Sequence, residues 1–115
     1  MSSVATARRI ALACPEAVEG SHMGHPDFRV GGRIFMSLWP GERRAVVKLP
    51  VADQQALVQI DPEAFSLGGW AHQGWTSVRL ARVNAAQLRV LADAAWRNVA
   101  TKRLRDRLCA TGGAP

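Results

Sequence analysis

His22 and His25 have the HxxH spacing, with Glu19 three residues earlier. A zinc or iron site needs a third or fourth ligand, and further groups that hold those ligands in place. Glu19 and the distant His72 are the candidates, and the spacing alone does not join them, so no metal is expected. His25, directly before Pro26, is read instead as a residue that orders the loop entering the next strands. Nothing in the chain assembles a catalytic centre. There is no Gly-rich phosphate loop, no GxSxG and no Cys/His arrangement at a telling spacing. Asp61 and Glu63 follow a turn and read as solvent-facing. No catalytic residue and no cofactor is expected, and the chain is read as a non-enzyme.

Two other sets of side chains could bind something. The aromatics are dominated by Trp39, Trp70, Trp75 and Trp96, with no Tyr. Aromatics on a sheet can stack exposed bases. The expectation here is plainer: Trp39, Trp75 and Trp96 pack between sheet and helices, and Trp70, flanked by glycine, is exposed. Trp70 and Trp75 flank His72 beside glycines, so these three residues are the candidate lining of an apolar ligand pocket. The cations form the second set. Arg29, Arg33, Arg43, Arg44 and Lys48 fall on or beside predicted hairpins. Arg79 and Arg82 follow later, and Lys102 and Arg103 lie in an Arg-rich C-terminal segment. These nine are the candidate phosphate contacts for a nucleic acid.

The formal net charge is +6. Residues 1–63 hold seven basic and seven acidic groups, whereas residues 64–115 hold eight basic groups against Asp93 and Asp106, so the excess lies entirely in the second half. Such asymmetry points to an anionic partner. Thirteen of the fifteen basic residues are Arg; a GC-rich coding bias explains Arg over Lys but not the missing acids.

The elements that must position these groups are legible from periodicity. Residues 4–14 repeat apolar groups at helical spacing through Val4, Ala7, Ile10 and Cys14, and Pro15 to Gly20 end the helix. Phe28–Val30 and 33–39 are rich in aromatic and β-branched residues, and Gly31-Gly32 between them suits a two-residue type I′ turn. Pro40-Gly41-Glu42 breaks the chain. Arg43 to Leu49 then alternates, with Arg44, Val46 and Lys48 on one face and Ala45, Val47 and Leu49 on the other. Pro50 opens a helix over 51–60 that Asp61-Pro62 stops. Residues 65–70 read as a short strand or loop. Trp75 to Leu80 is a strand with Thr76, Val78 and Leu80 on one face and Trp75, Ser77 and Arg79 on the other. Asn84 and Gln87 form a capping box for a long helix carrying Leu88, Leu91, Ala95 and Val99. Thr101 caps a shorter helix with Leu104 and Leu108, and the Gly112–Pro115 tail should fray. The order α-β-β-β-α-β-β-α implies an α+β domain, a single antiparallel sheet of about five strands packed by helices. A chain of 115 residues makes one such domain, with its core over about 4–108. No apolar run is long enough to cross a membrane. The N-terminus lacks a full signal-peptide core, so a cytoplasmic location is expected. Cys14 and Cys109 match no CxxC pattern and are expected to be reduced, a bridge between the terminal helices being the alternative.

The chain resembles the MmcQ/YjbR-like family. The resemblance rests on Gly24-His25-Pro26, Phe28, Val30-Gly31-Gly32-Arg33-Ile34-Phe35, Val47-Lys48-Leu49-Pro50, Gly74-Trp75-Thr76, Val78 and Leu80. Ala95-Trp96-Arg97 and Lys102-Arg103-Leu104 match as well. It spans about residues 8 to 108. It implies a CyaY-like α+β fold and a DNA-binding role with a double wing of β-hairpins; it brings no catalytic residues. The expected partner is double-stranded DNA, held through the nine cations named above. The alternative is a protein or small ligand at Trp70, His72 and Trp75. No membrane partner is expected, and the chain is read as a monomer or weak dimer.

Overall fold

A computed structural model describes the backbone of residues 2–68 and 71–111, with side chains except at 71 and 107–111. The expectations for an exposed Trp70, for the Leu108 side chain, for a Cys14–Cys109 bridge and for a frayed tail lie outside the described residues.

The elements in chain order are α1 (Val4–Ala13), β1 (Val18–His22), β2 (His25–Val30), β3 (Arg33–Trp39), β4 (Arg44–Lys48), α2 (Val51–Ile60), β5 (Phe65–Leu67), β6 (Trp75–Arg79), α3 (Ala85–Val99) and α4 (Lys102–Thr111). Six strands form one antiparallel sheet in the order β1-β2-β3-β4-β6-β5. The strand beyond the expected five is β1. Pro15 and Glu16, the latter at φ 57, end α1, and Met23 and Gly24, at φ 53 and 84, fold the chain back. Val18–His22 thereby pair with β2. His25 is thus the first residue of a strand, not part of an entering loop. A methionine in the left-handed region is unusual, which is why this turn leaves no signature. Gly31-Gly32, at φ 59 and 80, form the expected type I′ turn.

Helices α1 and α3 cover one face of the sheet. Ala7, Ile10 and Ala11 meet Leu88, Leu91, Ala95 and Trp96 over Phe28, Met36, Leu38, Val47 and Val78, all buried. Trp96 is 1% exposed, and its indole N–H donates to the Pro15 carbonyl at 2.8 Å. This satisfies the one polar atom that burial would otherwise orphan. The capping box of α3 is complete, with Asn84 and Gln87 exchanging side-chain and backbone hydrogen bonds at 2.8 and 2.9 Å. Phe35 has no cross-strand partner on β2, because the register shifts between Phe28↔Met36 and Arg29↔Ile34. This bulge sends Phe35 into the core and keeps Ile34, Ser37 and Trp39 on the opposite face.

Gly74 ties β6 to the end of β4. Its carbonyl accepts from the Leu49 N–H at 2.9 Å. Its φ is +94, and a Cβ there would stand 2.1 Å from the Leu49 carbonyl oxygen. Only glycine fits. Helix α2 flanks β5. Its buried residue is Gln54, whose Nε2 donates to the Trp75 carbonyl at 3.0 Å. No helix among the described residues covers the other face of the sheet.

Candidate functional site

Strand register sorts the side chains of that open face into three rows across the sheet. His22, His25, Trp39, Arg44 and Arg79 form the first. Gly20, Asp27, Ser37, Val46 and Ser77 form the second. Arg29, Ile34, Lys48 and Trp75 form the third. The outer rows stand four residues apart, roughly 13 Å at about 3.3 Å per residue. Their large side chains rise on either side of a low middle row. The result is a trough of about 850 Å³, closed at its ends by Met23 and by Gly68 and Gln73.

The first row is a preassembled stack. The His25 ring lies 3.6 Å from that of Trp39, at 25°. From the next strand the Arg44 guanidinium covers the Trp39 ring at 4.6 Å. Arg44 also donates to Ser77 Oγ at 3.1 Å and pairs with Glu42 at 3.0 Å. Its Nε is enclosed with no hydrogen-bond partner among the described residues, a costly arrangement for a permanent cation. Arg79 sits directly opposite Arg44, and like charges facing across strands destabilise a sheet. In the third row Lys48 Nζ lies 5.4 Å over the Trp75 ring. Arg29 is already used: Asp27, fully buried, takes its Nε and Nη2 at 2.9 and 3.1 Å. That hydrogen bonding and the Asp27 charge raise the Arg29 pKa above its ordinary value, so its cation is fixed in place. A smaller, more polar depression of about 520 Å³ lies beside Glu63, Arg82, Asn84 and Gln87. Its groups are spent on the Glu63–Arg82 pair and the α3 cap.

A family model described as YjbR matches residues 12–98. The chain belongs to the YjbR family. No curated protein matches it. Among solved structures, the Deinococcus radiodurans protein DR2400, of the family-model domain DUF419, superposes with a TM-score of 0.79 over 100% of this chain and 91% of that one. At 22% identity that likeness concerns the fold, a single antiparallel sheet with helices.

In this YjbR domain the nine candidate cations divide. Arg29, Arg44, Lys48 and Arg79 share the open face. Arg33 pairs with buried Val30 at a hairpin tip, and Arg43 lies exposed after the β3–β4 turn, at φ 48. Arg82 is bound to Glu63, and Lys102 pairs with Asp106 at 2.9 Å. Lys102 and Arg103 belong to α4, which follows the end of α3 where Asn98 donates to the Lys48 carbonyl at 3.0 Å. The charge excess of residues 64–115 therefore spreads over α3, α4 and the open face. Of the candidate pocket residues, Trp75 lines the trough, His72 is exposed outside it, and Trp70 lies outside the described residues.

Two tryptophans correct the expectation of burial. Trp39 and Trp75 are half-buried on the open face, and only Trp96 packs between sheet and helices. Alternation already placed Trp75 opposite the core; for Trp39 the bulge at Phe35 hid the same conclusion. The HxxH histidines both face outward, across the tight turn. Glu19 points to the helix side and pairs with Arg8 at 3.2 Å. No group of three or more His, Cys, Asp or Glu side chains among the described residues could hold a metal. Also among them, no helix is long and apolar enough to cross a membrane.

Proposed function

We propose that this protein is a DNA-binding module whose open sheet face is the contact surface. The observation that carries this reading is the convergence of Arg44, Lys48 and Arg79 with Trp39 and Trp75 on the uncovered face. Two arginines face to face are a cost to the free protein, and a polyanion beside them offsets it. Arg33 and Arg43 lie at the hairpin ends. The double-wing role described for the family is consistent with a surface framed by hairpins.

The test is titration of labelled duplex DNA by fluorescence anisotropy. With Arg44, Lys48 and Arg79 engaged, affinity should fall about fortyfold between about 50 and 200 mM salt. Replacing Lys48 and Arg79 together by Thr should lower the salt slope by about two. Absence of binding to duplex and single-stranded DNA alike, at tens of micromolar protein in low salt, defeats the reading.

A second reading has one observation in its favour. The trough, at about 850 Å³, has the size and aromatic lining of a small-molecule site. A small anionic aromatic probe that binds where DNA does not would select it.

A further inference from the structure

Resting on the DNA reading, we propose that the trough takes an unpaired, single-stranded stretch of DNA. One base stacks on Trp75, and Lys48, Arg44 and Arg79 hold the phosphates.

The two open-face tryptophans are not equivalent. Trp39 is covered from both neighbouring strands, by His25 on β2 and by Arg44 on β4. It is a wall, with no ring face left to offer. Trp75 is covered by Lys48 from the β4 side. On its other side the β5–β6 register, Leu67↔Thr76, brings Gly68 level with Trp75. Glycine leaves the place beside the ring open: a Cβ at Gly68 would meet nothing within 4 Å among the described residues. Among the described residues, a slot is thus kept beside one aromatic face, and the corresponding space beside the other is filled.

The floor agrees with this assignment. Ser37, Val46 and Ser77 are small, and the walls stand roughly 13 Å apart, backbone to backbone. A gap of that width admits a single strand. In a duplex the bases are stacked on one another, so they reach neither the slot nor the floor. Aromatic side chains on a sheet face bind unpaired bases through stacking, while cations track the backbone. Here Lys48 stands beside Trp75 in one outer row, and Arg79 stands opposite Arg44 in the other. Because the stack on Trp39 fixes the Arg44 guanidinium before the strand arrives, little ordering is left to do on binding.

The experiment compares a labelled oligothymidine of about a dozen nucleotides with a duplex of equal length, in about 50 mM salt. The single strand should bind at least tenfold more tightly. Trp75→Ala should weaken single-strand binding by about 5- to 150-fold, the worth of one stacked base, and leave duplex binding within about twofold. Trp75→Phe should recover most of the loss. Gly68→Leu fills the slot without removing an aromatic ring, so it tests the same contact if Trp75→Ala folds poorly. It should reproduce the single-strand defect. Equal or tighter duplex binding, or single-strand binding untouched by Gly68→Leu, overturns the proposal and leaves the DNA reading standing. Failure of both DNAs to bind removes the DNA reading and this proposal together.

Discussion

On the helix side of β3 stand Phe35, Met36 and Leu38, each fully buried; on the other side stand Ile34, Ser37 and Trp39, each half-exposed. The same division runs through β4, where Ala45 and Val47 oppose Arg44, Val46 and Lys48. It recurs in β6, where Thr76 and Val78 oppose Trp75, Ser77 and Arg79. The covered face is optimised for stability: apolar groups interdigitate and the Trp96 indole N–H has a partner. The open face accepts opposed arginines, an enclosed unpaired guanidinium nitrogen and two tryptophans at a wet surface. Features that cost stability without filling a core support the proposal that this face is kept for recognition.

The comparison breaks most sharply at its tryptophans. Trp96→Ala removes a 1%-exposed side chain from the core and should cost about 3–5 kcal/mol in urea unfolding. Trp39→Ala removes a half-exposed ring with one stacking and one cation–π neighbour, and should cost about 1–2 kcal/mol. Equal losses at the two sites would show that the open face is as structural as the covered one.

Gly74→Ala tests the joint between the faces. It forces an L-residue into φ +94 and drives its Cβ against the Leu49 carbonyl. A loss of about 2–3 kcal/mol is expected, together with faster hydrogen exchange at the Leu49 amide, which bonds to Gly74. If the unfolding midpoint is unchanged, β4 and β6 are not held as described.

The covered face was the more legible of the two, for physical reasons. Burial enforces the period-2 and period-3.6 patterns of β3, β4, β6 and α3, and turn and cap chemistry places the Gly31-Gly32 turn and the Asn84–Gln87 capping box. Alternation even assigned Arg44, Lys48, Trp75 and Arg79 to the outer face. It did not say that they meet, because β6 reaches β4 across an intervening helix and strand. Two irregularities hid the rest. The bulge at Phe35 puts consecutive residues Phe35 and Met36 both in the core, which defeats a strict alternation. The Met23-Gly24 turn carries no conventional hairpin dipeptide, so in sequence β1 resembles a helix exit and His25 a loop residue. Charge counts misdirect for a different reason: Arg82, Arg97 and Lys102 are each paired with an acid nearby.

A substitution that separates stability from recognition sharpens the comparison. Arg79→Thr removes the like charge opposite Arg44 and places a good strand former on an exposed position. Stability should rise by a few tenths of a kcal/mol, while DNA affinity at low salt falls by one phosphate contact. A loss in both, or a gain in both, contradicts the assignment of Arg79 to the recognition face.

A further expected effect belongs to the covered side and depends on pH. Cys14 lies at the end of α1, with its Sγ 3.7 Å from the Ile10 carbonyl. Partial burial, and secondarily the nearby Asp93 charge, raise its pKa from 9.0 to about 11. The folded thiol therefore keeps its proton over a range in which the unfolded thiol gives it up. Below pH 9 the two states carry the same proton and Cys14 contributes no pH dependence. Between 9 and about 11 the unfolded chain binds fewer protons than the native one, so stability declines as pH rises. With Cys109 replaced by Ser in both proteins, the wild-type Cys14 form should lose unfolding free energy relative to Cys14→Ser across that interval and match its pH response below it. Parallel curves through pH 11 would mean that Cys14 is no more shielded than a thiol in the unfolded chain. The covered face would then be open to solvent at the α1 end, and the contrast between the two faces would hold only where α3 lies over the sheet.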